Sequence, residues 1–482
     1  MTKDAAPGDS IDDLYPGIQP ERVQTLNDVP VAQDGTFVLY WMQQAQRAEL
    51  NHALEYAVHR ANELHQPLLV AFGLMDDYPE ANRRHYHFML QGLADVAGAL
   101  AARNIPFVVR RGHPDDVALT LAQDASLVVC DRGYLRPQRE WREHVAHEAP
   151  CAVAQVESDV VVPVELVSDH QEHAARTIRP KIARHLGRFV VDLPQAALAT
   201  TSGGPDVDGE DLSDVDALLD SLGLDDEVPV VRLFTGGTTV GKEVLRRFLD
   251  DHLDVYAAHR NQPQTSDVSH MSKYLHFGQL SPVWIAMEAS RKPSSENRDD
   301  FLEELIIRRE LPMNFVFFQP RYDQYSSLPE FAKKTLSEHE DDLREHRYTR
   351  AQLEDAETHD PYWNAAMREM RATGYMHNYM RMYWGKKILE WSDTPQHAHA
   401  TALYLNNKYF IDGRDANSFA NVAWVFGQHD RGWTERDVFG KVRYMNAAGL
   451  ERKAKPKEYV TKVEQLERDV EGGLGEDAPS PC

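Results

Sequence analysis

The most constraining feature of the 482-residue chain is a change of period near its middle. Up to about position 160, short apolar runs alternate with stretches carrying apolar residues at helical spacing. Beyond about position 230, helical spacing is almost unbroken. The runs at 36–41 (TFVLYW), 67–75 (PLLVAFGLM), 106–110, 127–130 and 152–156 are predicted strands, the second buried on both faces. Residues 43–64, 82–104, 114–125 and 136–148 are predicted helices. Five strands interleaved with four helices predict a doubly wound parallel sheet, an α/β domain followed by an all-α one. No G-x-G-x-x-G or G-x-x-x-x-G-K-[ST] follows any strand, so a dinucleotide in the usual first turn is not expected.

In the second half, residues 242–259, 282–290, 299–317, 349–371, 375–390 and 401–405 are predicted helices. Between the halves, residues 206–227 hold ten acids and no Lys or Arg, so 200–228 reads as a solvated linker without function of its own. The expected organisation is a tail (1–30), an α/β domain (31–170), a connector with the acidic linker (171–230), a helical domain (231–460) and an acidic tail (461–482) with no assigned role.

Lys plus Arg minus Asp plus Glu is 52 − 76 = −24, which argues against a non-specific polyanion binder. From 401 to 457, however, ten basic residues face six acids, which leaves room for a local nucleic-acid face. Three cysteines (Cys130, Cys151, Cys482) make no disulfide framework and suggest a reducing, cytoplasmic setting. No run of about 18 apolar residues is present, and residues 1–19 lack the order of a secretory signal. No metal site is expected, and a monomer is the default.

Five of the eight tryptophans follow position 360. Trp384 and Trp391 are seven apart on one predicted helix, on one face and about 10 Å apart along it. Trp363 lies on the preceding helix. Such a trio is either a core ridge or a hopping chain for electrons. Arg381, Asn406 and Asp412 fall in one crowded region if their helices pack side by side. Arg381 with Asp412 is either a structural ion pair or a pair that tunes a flavin's charge state. Asn406 is either a helix cap or an amide that offers its oxygen to a protonated ring nitrogen.

The segments LYWMQQAQRAEL (39–50), SHMSKYLHFGQLS (269–281), FLEELIIRRELPMN (301–314), GYMHNYMRMYWGKKILEW (374–391) and NNKYFIDGRDANSFANVAW (406–424) resemble, in this order, the class II cyclobutane pyrimidine dimer photolyases of the photolyase/cryptochrome family. The resemblance spans roughly residues 22–459. It implies an α/β antenna domain joined by a long connector to a helical domain that holds FAD. It places Ser269, Met271 and Ser272 at the flavin phosphates, with His270 and Tyr256 also at the cofactor. Arg381 and Asp412 match the pair beside the flavin ring, and Asn406 the residue facing its N5. Trp384, Trp363 and Trp391 match the photoreduction chain, with Trp384 nearest the flavin.

The implied activity is light-driven repair of UV-damaged DNA: reduced, anionic FAD gives an electron to a flipped-out cyclobutane pyrimidine dimer, the ring opens and the electron returns. Glu304 matches a carboxylic acid that hydrogen-bonds the pyrimidine carbonyl. Arg260, Asn261, Met382 and Trp424 match lesion contacts, and Arg431, Lys441 and Arg443 are candidates for the DNA backbone. Arg308 stands one turn after Glu304, where some relatives carry an aromatic wall. The antenna pigment stays open between a deazaflavin, a folate and none. The rival readings are a cryptochrome-like light sensor without repair, a light-independent flavoprotein electron carrier, and a nucleotide-binding enzyme with its site in the first domain.

Overall fold

The computed structural model describes residues 15–472. The outer parts of the two expected tails, and Cys482 with them, lie outside the described residues. The strands are β1 (Val23–Thr25), β2 (Phe37–Met42), β3 (Leu68–Leu74), β4 (Phe107–Arg111), β5 (Ala125–Asp131) and β6 (Ala152–Val156). They form one sheet in the order β1-β6-β5-β2-β3-β4. The five expected strands are parallel, and β2, β3 and β5 are buried along their whole length, as their unbroken apolar runs require. The sixth strand is a correction: β1, inside the expected tail, pairs antiparallel with β6. Three residues carry no readable period, so the pairing sheet defines this strand.

Strand order reverses between β2 and β5. Here Asp131, at the end of β5, accepts the main-chain N–H groups of Gln43, Gln44 and Ala45 and the Tyr40 hydroxyl at 2.7–3.1 Å. That carboxylate holds residues 43–51 as a loop, so the helix expected from 43 begins at His52.

The acidic connector is also corrected. Helix Val215–Ser221 buries Leu218 and Leu219, with Leu222, in the core of the first domain, and the Glu210 N–H bonds to the Val109 carbonyl at the open edge of β4 (2.7 Å). The acids mask this docking in the sequence because they point outward, where Asp220 meets Arg83 and Glu210 meets Arg111.

The second domain is helical as expected. Helices Pro361–Thr373, Asn378–Trp391, Pro395–Tyr409 and Ala416–Val425 share one core, with Trp363 fully buried at its centre. The stretch 349–371 is two helices, Arg350–Glu354 and Pro361–Thr373, the latter capped by Asp360. The final helix runs Pro456–Glu471 and buries Tyr459 and Val463, so residues 461–471 continue it.

Buried arginines close the domain seam. Arg84 donates to the carbonyls of Met370, Arg371 and Tyr409, and Arg47 to those of Gly278 and Ser158. Gly278 is required here: its φ is +62°, and a Cβ would lie 1.8 Å from the Gln44 oxygen. No helix among the described residues is long and apolar enough to cross a membrane. Cys130 and Cys151 are buried free thiols.

Candidate functional site

Pro312 lacks the N–H that would bond the Arg308 carbonyl. Just before it the helix widens into a π turn over Glu303–Arg308, a geometry that re-aims side chains. This turn forms one wall of a cavity of about 1360 Å³, mouth included. Tyr256, Arg260 and Asn261 extend the wall. Ser269, His270, Met271 and Ser272 form a second side, and Arg381 with Asp412 a third. Eleven of the residues singled out in the sequence, Glu304 and Arg308 among them, therefore meet on one cavity.

Arg381 donates to both Asp412 oxygens at 3.0 and 3.2 Å and to the Met376 carbonyl, and it lies 3.8 Å over the Phe410 ring. Burial alone raises the Asp412 carboxyl, but the Arg381 charge and a hydrogen bond from the Ser272 hydroxyl outweigh it and hold the group below the usual range. The pair thereby ties the 269–272 segment to the far wall. Burial, with Lys273 and Lys462 nearby, pushes His270 well below its ordinary value, so it stands neutral. Its Nδ1 is buried without a partner, as is the Trp384 Nε1. Buried polar atoms of this kind call for a polar group that the protein itself does not supply.

One turn beyond Arg381 on its helix, Trp384 begins a continuous array of three indoles. Trp384 and Trp363 are stacked 6.5 Å apart at 8°, and Trp363 meets Trp391 at 5.6 Å. The Trp363 Nε1 donates to the Trp384 carbonyl at 3.0 Å, which fixes its orientation. Core ridge and hopping chain are thus compatible. All three are buried, and each touches the next.

Glu304 forms an ion pair with Arg260 (2.7 Å), and Glu303 instead serves Arg179 and Arg308. Arg260 thus occupies the carboxyl expected to hydrogen-bond a pyrimidine carbonyl, a pairing invisible in the sequence because the partners are 44 positions apart. Arg308 lines the same wall.

Met382, Asn406 and Trp424 do not form the cavity wall itself. Met382 follows Arg381 on its helix. Asn406 is buried near the end of the Pro395–Tyr409 helix, and Trp424 lies one turn beyond the wall residue Asn421. Trp424 begins a ladder of rings and basic side chains: Lys386 and Arg443 flank its ring at 4.8 and 5.4 Å, and Arg443 and Arg431 flank Trp433 at 4.2 and 4.8 Å. Arg443 is paired with Asp430 at 2.8 Å, and Lys441 lies 3.9 Å from Glu435. Trp433 belongs to this face, which its place in the sequence does not show. Asp415, Asn417, Ser418 and Asn421 also line the cavity unforeseen. Their polar character within an apolar helix was the available signal.

A second cleft of about 950 Å³ opens at the reversal of strand order, between the two domains. Gln43, Gln46, Tyr78 and Trp141 face His276 and Arg414 across it, and Asp415 lies on the wall of both cavities.

The DNA photolyase family model matches residues 38–199, and the model for the FAD binding domain of DNA photolyase matches residues 301–467. The chain is 49% identical to a deoxyribodipyrimidine photo-lyase of Methanothermobacter thermautotrophicus, over 93% of this chain and 99% of that one. To the deoxyribodipyrimidine photo-lyase of Oryza sativa subsp. japonica it is 41% identical, over 92% and 90%. Among solved structures, a class III photolyase from Agrobacterium tumefaciens (TM-score 0.68, 19% identity, 93% of this chain and 91% of that one) shares the fold. So does a cryptochrome of Synechocystis (TM-score 0.69, 16% identity, 93% and 96%). The FAD binding domain match covers the cavity walls that carry Glu304, Arg381 and Asp412, the 256–275 wall lying just before it, and the chain belongs to the photolyase/cryptochrome family.

Proposed function

We propose that the chain is a deoxyribodipyrimidine photo-lyase of class II type, repairing cyclobutane pyrimidine dimers in DNA under light. The carrying observation is that one cavity gathers both sets of expected residues. Ser269–Ser272, Arg381 and Asp412 would hold FAD, and Arg260, Asn261 and Glu304 would meet the dimer. The unpartnered His270 nitrogen, on the cavity wall, suits such a group. When bound and reduced, FAD supplies a photoexcited electron to the dimer.

The chain's own residues supply the setting. Arg381, its charge balanced by Asp412, would set a fixed positive charge beside a bound flavin. Arg260 would offer donors at the mouth, the Glu304 carboxyl in its acid form would donate to a pyrimidine carbonyl, and Trp424 would offer a half-buried apolar face for a flipped base. The buried indoles from Trp384 to Trp391 lead away from the cavity through contacts of 5.6–6.5 Å, a route for reducing the cofactor. Arg431, Lys441 and Arg443 surround the ladder face and would meet phosphates. The interdomain cleft, ringed by Trp141, His276 and Arg414, is the place for an antenna pigment.

Illumination of the flavin-reduced protein with dimer-containing DNA tests the reading. Loss of dimers in light and not in darkness supports it. Unchanged dimers under light remove repair in favour of a light sensor.

A further inference from the structure

We propose that Glu80, in the N-terminal domain, is a positioning residue for Asn406, orienting its amide through Asn407. The proposal rests on the reading of Asn406 as the residue that faces the flavin. Asn407 Nδ2 donates to Glu80 Oε2 at 2.7 Å, and Asn406 Nδ2 donates to Asn407 Oδ1 at 3.0 Å. A carboxylate only accepts, so it fixes the sense of the whole relay. Asn407 must turn its nitrogen to Glu80 and its oxygen to Asn406. Asn406 then spends its nitrogen on that oxygen and keeps its own oxygen for another donor. The Arg414 main-chain N–H, bonded to the same Asn407 oxygen at 3.0 Å, enforces the same sense from the other side.

A reversed Asn406 amide would set two oxygens face to face. Both asparagines are buried, so water offers little relief. The loop is placed for this task. Glu80 holds a φ of +59°, which a non-glycine residue keeps only where its surroundings impose it. Two residues on, Asn82 Nδ2 bonds the Lys408 carbonyl at 2.8 Å, pinning the loop to the same helix end. The orientation of the Asn406 amide is thus set from the other domain.

The test is spectroelectrochemistry of the FAD-loaded full chain, read as midpoint potential and flavin content, for Glu80→Ala, Glu80→Gln, Asn406→Ala and the double variant Glu80→Ala/Asn406→Ala. Loss of one net hydrogen bond changes the oxidised/reduced balance by about fivefold. For a two-electron couple this is about 20 mV. The expected result is a shift in Glu80→Ala, recovery in Glu80→Gln, which keeps an acceptor oxygen, and no further shift when Glu80→Ala is added to Asn406→Ala. A shift in Asn406→Ala with none in Glu80→Ala overturns the proposal alone, as does a Glu80→Gln shifted as far as Glu80→Ala. No shift in Asn406→Ala overturns the reading of Asn406 and the proposal with it.

Discussion

Replacing Asp412 by Asn tests the electrostatics of the cavity at its best-defined contact. At 3.0 Å and an effective dielectric near 20, the Arg381–Asp412 attraction is about 5 kcal/mol before desolvation. Removing one partner of a buried pair costs about 3–5 kcal/mol, because the surviving charge stays behind. The Arg381 side chain keeps 20% of its exposure, which places the cost at the lower end, about 3 kcal/mol. For a domain of this size that corresponds to a drop of about 6–12 °C in the unfolding midpoint. The variant should also lose bound FAD, since Ser272 loses its anionic partner across the cavity. The folded-state pKa of Asp412 is depressed, so its contribution is present above the ordinary Asp value and lost as pH falls through the lower, folded value. The difference between wild type and Asp412→Asn should therefore narrow in acid. Thermal unfolding followed by circular dichroism, with flavin absorbance per chain, measures both effects. A midpoint within about 2 °C of wild type, with full flavin content, would refute the reasoning.

Three further outcomes are expected. Trp384→Phe should abolish photoreduction of the flavin while leaving repair by chemically reduced protein intact, and transient absorption showing full-rate photoreduction would contradict the indole route. Lys386 is fully buried, with its pKa lowered to about 7 by burial, so the unfolded chain binds the extra proton between about 7 and 10.5 and stability should rise with pH across that window. Denaturation midpoints of Lys386→Met should lack this rise. Gly278→Ala should destabilise by about 1–3 kcal/mol, from the left-handed backbone and the collision with the Gln44 oxygen, read by urea unfolding.

The strands were legible in the sequence because burial on both faces leaves unbroken apolar runs. The helical half was legible because its apolar residues keep the 3.6 period. What escaped depended on partners far away in the chain. β1 exists because β6 offers it an edge, and residues 43–51 avoid a helix because Asp131 captures their amides. The Val215–Ser221 helix hid among acids that face outward, and a 3.6-residue period over 299–317 cannot announce the π turn that Pro312 brings. In the site, Arg381, Asp412 and Ser269–Ser272 came from the resemblance, and the structure gathers them. The pairing of Arg260 with Glu304 and the relay from Glu80 to Asn406 need three dimensions, because each joins residues 44 or more positions apart.

Of the three carbonyls held by Arg84, that of Met370 also accepts the Gly374 N–H, whereas those of Arg371 and Tyr409 lie at the C-terminal ends of the Pro361–Thr373 and Pro395–Tyr409 helices, past the last turn that could supply a donor. One guanidinium from the first domain therefore finishes two helices of the second, those bearing Trp363 and Asn406. The halves are not interchangeable modules. A helical domain excised for engineering would carry two frayed helix ends, and a transplanted first domain would have to bring an arginine to the same spot.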